Sequence, residues 1–247
     1  MKEAHLLCQP GDIAENVLLP GDPERVFRVA KELSGVREIA FNREFRTITG
    51  NYKGMPVTVT STGIGGCSTG IAVEELYNCG AKNLIRIGSC GALQPELKLG
   101  DLVIATAAVR EDGLSSTYVK TEYPAVSDFE LSSCLKTKAE ALGYDFRLGI
   151  CRSHESFYTD HNQEIIDYWK DKNVLASDME TASLFTLANL RQLRAASILN
   201  VVVNESQDSS AGINNYVDRD EIIMQGEKRE IKLALESLLY WQELNEN

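Results

Sequence analysis

Residues 57–91, VTVTSTGIGGCSTGIAVEELYNCGAKNLIRIGSCG, constrain the fold more than any other stretch of the chain. Val57 to Thr60 alternate β-branched residues and predict a strand. Gly63, Gly65 and Gly66 then break it into a tight loop. Ser68 and Thr69 are placed to cap the next segment, in which Ile71, Ala72, Leu76 and Cys79 recur at helical spacing. Gly80 suits the helix stop, and Asn83 to Ile87 return as a second strand ending in Gly-Ser-Cys-Gly. A β-loop-α-β unit of this kind puts its two glycine-rich loops on one edge of a parallel sheet. Amides at a helix start, loops without Cβ atoms and the nearby Arg86 suit an anion. Loop glycines also serve as plain turns. The spacing is neither G-x-G-x-x-G followed by a ribose-binding acid nor a Walker loop, so spacing alone leaves both readings open.

The rest of the chain repeats the alternation. Val17–Leu19 predicts a short strand, followed by Pro20-Gly-Asp-Pro-Glu-Arg25 and a helix to about Leu33, with Pro23 in its first turn. Residues 40–45 and 47–52 predict strands, with a turn at Lys53-Gly54. Further strands are expected at 102–105 and 147–151, and an amphipathic helix from Leu131 to Leu142. Val174–Ala176 leads into Ser177-Asp-Met-Glu-Thr181 and a mostly apolar helix to about Leu190. Ala196–Val203, nearly continuous and β-branched, reads as a last central strand. Residues 208–219, rich in Ser, Asn and Asp, predict a mobile loop. Ile231, Leu235, Leu238 and Leu239 place a C-terminal helix against the core. With no internal repeat and no linker, residues 1–247 are expected to form a single three-layer α/β domain.

A formal charge of −11 argues against a surface that coats nucleic acid, so a phosphate must be held by local arginines rather than a global field. The sequence contains no run long enough to span a membrane and no signal-like start, which predicts a cytoplasmic protein. Six cysteines show no Cys-x-x-Cys pair and no ligand-like histidine spacing; most are expected to be reduced, buried small residues, and zinc is not expected.

The string from Ser61 to Leu76, Ser-Thr-Gly-Ile-Gly-Gly-Cys-Ser-Thr-Gly-Ile-Ala-Val-Glu-Glu-Leu, resembles the signature of the uridine phosphorylases, with Cys67 where proline is usual. These belong to the nucleoside phosphorylase superfamily, which also holds hexameric purine nucleoside phosphorylases. The resemblance runs from His5 to about Gln207 through several motifs in order. It implies a mixed central sheet in an α/β/α fold. Gly21 and Arg25 match the first phosphate loop, Arg43 an arginine donated to the partner subunit's phosphate, and Arg86 and Ser89 the remaining phosphate contacts. Three arginines meet a phosphate dianion with fork-like hydrogen bonds that lysine does not reproduce. His5, by itself an exposed terminal histidine, matches one that reaches the neighbouring subunit's ribose. Met179 and Glu180 match the ribose-binding pair, with Asp178 replacing a first glutamate. Cys90, Gly91 and Phe157 match base-site positions. His161 and Gln163 stand where uridine phosphorylases have a glutamine and an arginine. Glu205 stands where they have arginine and purine phosphorylases have an acid.

The implied reaction is reversible phosphorolysis of a nucleoside to nucleobase and (deoxy)ribose 1-phosphate, with Arg86, His161 and Glu205 assigned to catalysis. Uridine leads on the longer motifs, and a purine nucleoside is the alternative. A hydrolytic nucleosidase and a non-catalytic nucleoside-binding protein are the remaining readings. No organic cofactor is implied, and inorganic phosphate is the co-substrate. Glu44, Ile64 and Ser68 match positions where the family sometimes holds a monovalent cation between dimer partners. The resemblance further implies an active site built by a homodimer, usually within a homohexamer, and no nucleic-acid or membrane partner.

Overall fold

The computed structural model describes residues 2–204 and 221–245. Strand β4 (Met55–Thr60) feeds helix α2 (Gly66–Cys79), Gly80 ends it in the left-handed region at φ 102°, and β5 (Asn83–Ala92) returns. The helix start differs from expectation. Gly65 is the N-cap at φ 89°, a conformation that glycine adopts without Cβ strain. Ser68 and Thr69 therefore lie inside the first turn, where Ser68 Oγ donates to the carbonyls of Ile64 (3.0 Å) and Gly65 (3.3 Å).

β1 (Asn16–Pro20) runs parallel to both β4 and β5, so the loops after these three strands share one edge of the sheet. Thr62 N donates to Pro20 O (2.8 Å) and Gly63 N to Gly21 O (3.0 Å), tying two of them together. Helix α1 (Pro23–Ala30) follows β1 and ends three residues sooner than its apolar spacing suggests, because β2 (Ser34–Asn42) starts there. β2 and β3 (Phe45–Tyr52) form a hairpin whose tip is Arg43–Glu44, so the strand expected through residue 45 stops at Asn42.

On the other side of β5 the sheet closes on itself. β10 (Arg194–Val203) pairs in parallel with β5 and antiparallel with β6 (Leu102–Glu111). β6 pairs with β8 (Phe146–His154), β8 with β9 (Ala176–Asp178), and β9 returns to β5 at Gly91–Ala92. The mixed sheet expected for the fold is present, and five of its strands make a ring that removes two edges. β1 leaves β5 after Ile87, and β9 takes over the vacated side.

Two cores flank the sheet. One packs α2 and α6 (Thr181–Leu190) through Leu76, Leu184, Phe185 and Leu187. The other packs α1, α4 (Phe129–Leu142) and α7 (Glu221–Asn245) through Val26, Val29, Leu131, Leu135, Ile231, Leu235 and Leu238. Three further elements had no sequence signal: α3 (Ser115–Tyr118), β7 (Ala125–Val126) and α5 (Asn162–Lys170). The loop expected over 208–219 lies outside the described residues.

Candidate active site

Arg86 stands on β5 just before that strand changes partners. It is buried, and its Nε donates to Asp178 Oδ2 (3.0 Å) while Nη2 donates to Glu180 Oε2 (2.5 Å). Gly88, two residues on and therefore on the same face, makes the room. A Cβ there would lie 2.6 Å from both Cζ and Nη2 of Arg86. Asp178 is saturated by Ser153, Thr181 and Arg86, so it serves as a fixed anchor. Glu180 also accepts the amides of Gly65 (2.6 Å) and Met179 (3.2 Å). The anion at the start of α2 is thus the chain's own Glu180 carboxylate. Burial pushes Glu180 up against the pull of Arg86. Burial alone would lower the Arg86 guanidinium, but Glu180 and Asp178 outweigh it and hold it above its usual value. Arg86 Nη1 is buried with no hydrogen-bond partner, and an orphaned guanidinium N–H calls for an acceptor.

The opposite face of the same strand end carries Ser89. Arg25, buried on α1, donates from Nη2 to Ser89 Oγ (3.1 Å) and from Nη1 to Ile87 O (2.8 Å). Its Nε donates to Glu227 Oε2 (2.9 Å), and Glu230 Oε1 lies 3.0 Å from Nη1. Gly21 packs on the neighbouring loop, where a Cβ would stand 3.2 Å from Gly63 O.

His5 is held rather than free. Glu75 of α2 accepts from the amides of His5 (3.1 Å) and Leu6 (2.7 Å), and its Oε1 is 2.6 Å from His5 Nδ1. Arg43 is exposed at the β2–β3 tip with φ 55°. Glu44, Ile64 and Ser68 converge on Gly63, where an added Cβ would stand 2.6 Å from Glu44 Cγ and 3.3 Å from Ser68 Oγ.

Comparison with known proteins agrees with this arrangement. Residues 16–238 match the Phosphorylase superfamily. The chain belongs to that superfamily. It is a nucleoside phosphorylase enzyme, a pentosyltransferase, as its motifs led us to expect. It is 48% identical over 212 residues to a uridine phosphorylase of Thermococcus kodakarensis, covering 81% of this chain and 76% of the relative. A guanosine phosphorylase of Halorubrum lacusprofundi is 38% identical over 237 residues, covering 96% and 98%. A solved uridine phosphorylase from Vibrio fischeri superposes with a TM-score of 0.91 at 40% identity over 97% of each chain.

In this phosphorylase chain Phe157, His161 and Gln163, matched to base recognition, are not drawn to the end of β5 as Arg25 and Arg86 are. Phe157 packs edge-on against Tyr158 at 4.9 Å between ring centroids, in an exposed loop. His161 is exposed 3.6 Å from Glu164, and Gln163 donates to Asp167 (3.0 Å). Cys90 is buried with its thiol pushed well up by burial, while Gly91 sits on the β9 side of the strand. Glu205 lies outside the described residues. Two shallow grooves beside α7, one lined by Phe129, Cys134, Tyr240 and Trp241, lie away from these groups.

Sequence reasoning missed the acids that hold His5 and Arg25. Glu75, Glu227 and Glu230 are acids on the buried faces of α2 and α7, in register with Leu76, Cys79, Ile231 and Ala234. An acid inside an apolar helical stripe was the available signal.

Proposed function

We propose that the chain catalyses reversible phosphorolysis of uridine, giving uracil and ribose 1-phosphate. The observation that carries this reading is the end of β5, where Arg25 and Ser89 meet on one face and Arg86, with an unpartnered buried Nη1, on the other. Phosphate held there attacks C1′ of the sugar. The new C1′–O bond forms as the C1′–N bond breaks, and the base leaves with the electron pair and takes a proton. Positive charge that builds on the sugar is met by the fixed phosphate, so no enzyme nucleophile is needed. Glu180 Oε1, which accepts from Gly65 N, has room for one ribose hydroxyl, since each carboxylate oxygen takes two hydrogen bonds, and Met179 lies under the sugar. Phe157, His161, Gln163, Cys90 and Gly91 are assigned to the base.

The exposed tip position of Arg43 and the clamped but half-exposed His5 suit delivery to a second copy of the chain. We therefore assign a dimer-built site, with a hexamer as the expected assembly, and treat residues 1–247 as one catalytic domain. Glu44, the Ile64 carbonyl and Ser68 offer only oxygen donors at one corner, which fits a monovalent cation shared with the partner's matching set. Among the described residues no helix is long and apolar enough to cross a membrane; a cytoplasmic location accords with this.

A purine substrate is the second reading, favoured by the guanosine phosphorylase relative. Assays of uridine, thymidine, inosine, guanosine and adenosine, each with and without phosphate, decide among the readings. Uridine consumption that depends on phosphate is expected. Turnover without phosphate would mark a nucleosidase, and binding without product a nucleoside carrier. Guanosine or inosine turnover that vanishes in Glu205→Gln, with negligible uridine turnover, would establish the purine reading. Arg86→Ala should lower phosphorolysis by about one to three orders of magnitude or more, because truncating a buried charge partner costs about 2–5 kcal/mol.

A further inference from the structure

We propose that Glu227 of α7 is a positioning residue for phosphate, holding the Arg25 guanidinium against Ser89 at the end of β5, and that the neighbouring Glu230 sets how far phosphate can use the charge of that guanidinium. The inference rests on the reading of that strand end as the phosphate site. An arginine side chain has many rotamers, and its fork recognises a dianion well only when its plane is fixed. Glu227 Oε2 takes Nε, the Ile87 carbonyl takes Nη1 and Ser89 takes Nη2, so three acceptors define the plane. Glu227 is itself locked, because its Oε1 accepts from Arg28 Nε, and Arg28 Nη2 also reaches Asp22, the N-cap of α1. Gly226 lets the helix press in: a Cβ there would lie 2.9 Å from Gly100 Cα. Asn200 of β10 pins the same turn by donating to Ile223 O (2.9 Å).

Burying this many charges is poor economy for stability alone, since well-packed apolar groups of similar size serve as well or better. Orientation of a catalytic-site arginine explains their presence. Glu230 has a distinct part. It is fully buried, and neither of its oxygens has a well-formed hydrogen bond, although Arg25 Nη1 stands 3.0 Å away. The charged or titratable groups facing it are Arg25 and Arg28 from α1, Arg86 and Cys90 from β5, and Glu227 from its own helix. Burial pushes its carboxyl up to about 8, against the pull of Arg25. Below that pH Glu230 is neutral, and of the two acids Glu227 alone draws on the charge of Arg25. Above it the ionised carboxylate competes with phosphate for the same guanidinium.

The test is steady-state kinetics of the full chain with varied phosphate between pH 6 and 9.5. Glu227→Gln should raise the phosphate KM about tenfold or more while the nucleoside KM stays within about threefold, and Glu227→Asp should recover part of the loss. A lower melting temperature with an unchanged phosphate KM would mean a merely structural role and overturn the proposal. In the wild type the phosphate KM should climb above pH 8, where phosphate itself is already dianionic. Glu230→Gln should abolish that climb, and a climb that persists would remove Glu230 from the assignment. If Glu227→Gln does not fold, Arg28→Gln loosens Glu227 from the surface side and should raise the phosphate KM in the same direction; no change would count against the clamp. Arg25→Ala is the control. A normal phosphate KM in Arg25→Ala sinks the phosphate site itself, whereas an impaired Arg25→Ala beside a normal Glu227→Gln sinks only this inference.

Discussion

At Gly88 the absence of one methyl group lets Arg86 lie back along its own strand. Gly88→Ala would set a Cβ 2.6 Å from the guanidinium, so either Arg86 turns away from Asp178 and Glu180 or the strand shifts. We expect kcat/KM for phosphorolysis to fall at least about tenfold in a variant that still folds, since small misplacements of a binding group are this costly; wild-type kcat/KM would contradict it. Glu75 is the second such position. Glu75→Ala removes the acceptor of two backbone amides and a histidine, and hydrogen bonds to a charged group contribute about 1.5–3 kcal/mol. Urea unfolding should show a loss of that order. The sequence displayed Arg25 and Arg86 because each sits in a motif near glycine or proline, and Glu180 because Asp178-Met-Glu180 resembles the family's ribose-binding string. It concealed Glu75 and Glu227 because an acid on a helix ordinarily faces water, and only its register with buried neighbours shows otherwise. The same hidden acid turned His5 from a free terminal side chain into a held one.

Helix α7 is tied at both ends of its packed face. Toward its C-terminal half, Glu236 accepts from Tyr52 (2.6 Å) and Lys53 (2.7 Å) of the β3–β4 hairpin, and Lys232 lies 3.3 Å away. Burial alone would push the Glu236 carboxyl up; hydrogen bonds from Lys53, Tyr52 and Lys232 outweigh it and bring it to about 2. The folded value lies below the unfolded one, so the stabilisation is present above pH 4.5 and is lost as pH falls toward 2. Glu236→Gln should cost up to about 1 kcal/mol at pH 7, a modest figure because Lys53 is half exposed. The gap between variant and wild type in urea should close between pH 4.5 and 2, and a gap independent of pH would refute this. At this scale the unit 55–92 was legible because glycines punctuate it and its apolar residues keep strict periods. β2 was cut short in the reading because most of its residues are exposed and show no alternation. α5 buries no residue at all, so no apolar stripe announced it.

Taken whole, the chain brings Arg25, Ser89 and Glu227 together from far-apart segments but leaves Arg43 at a hairpin tip and His5 near one end. If a second copy receives them, mixing inactive Arg43→Ala chains with inactive Glu180→Ala chains should restore part of the activity. Each mixed dimer then holds one site with an intact Glu180 of its own and an intact partner-derived Arg43. No recovery after demonstrated subunit exchange would count against sharing. The ring of β5, β10, β6, β8 and β9 was not legible, because ring closure depends on which strands neighbour one another and not on any local period. The tie between α7 and α1 likewise spans the chain, with Arg25 and Glu227 separated by 202 residues. A ribosome adding about 5–20 residues per second exposes Arg25 roughly 10–40 seconds before Glu227 is made. Once Arg86 has been added, 61 residues into that interval, the nascent chain carries Arg25, Arg43 and Arg86 and lacks the carboxylate that holds the first of them. If Glu227 aims Arg25 at phosphate as proposed, a polypeptide cut short before α7 would look complete at every matched motif and still lack the group that makes the first of them work.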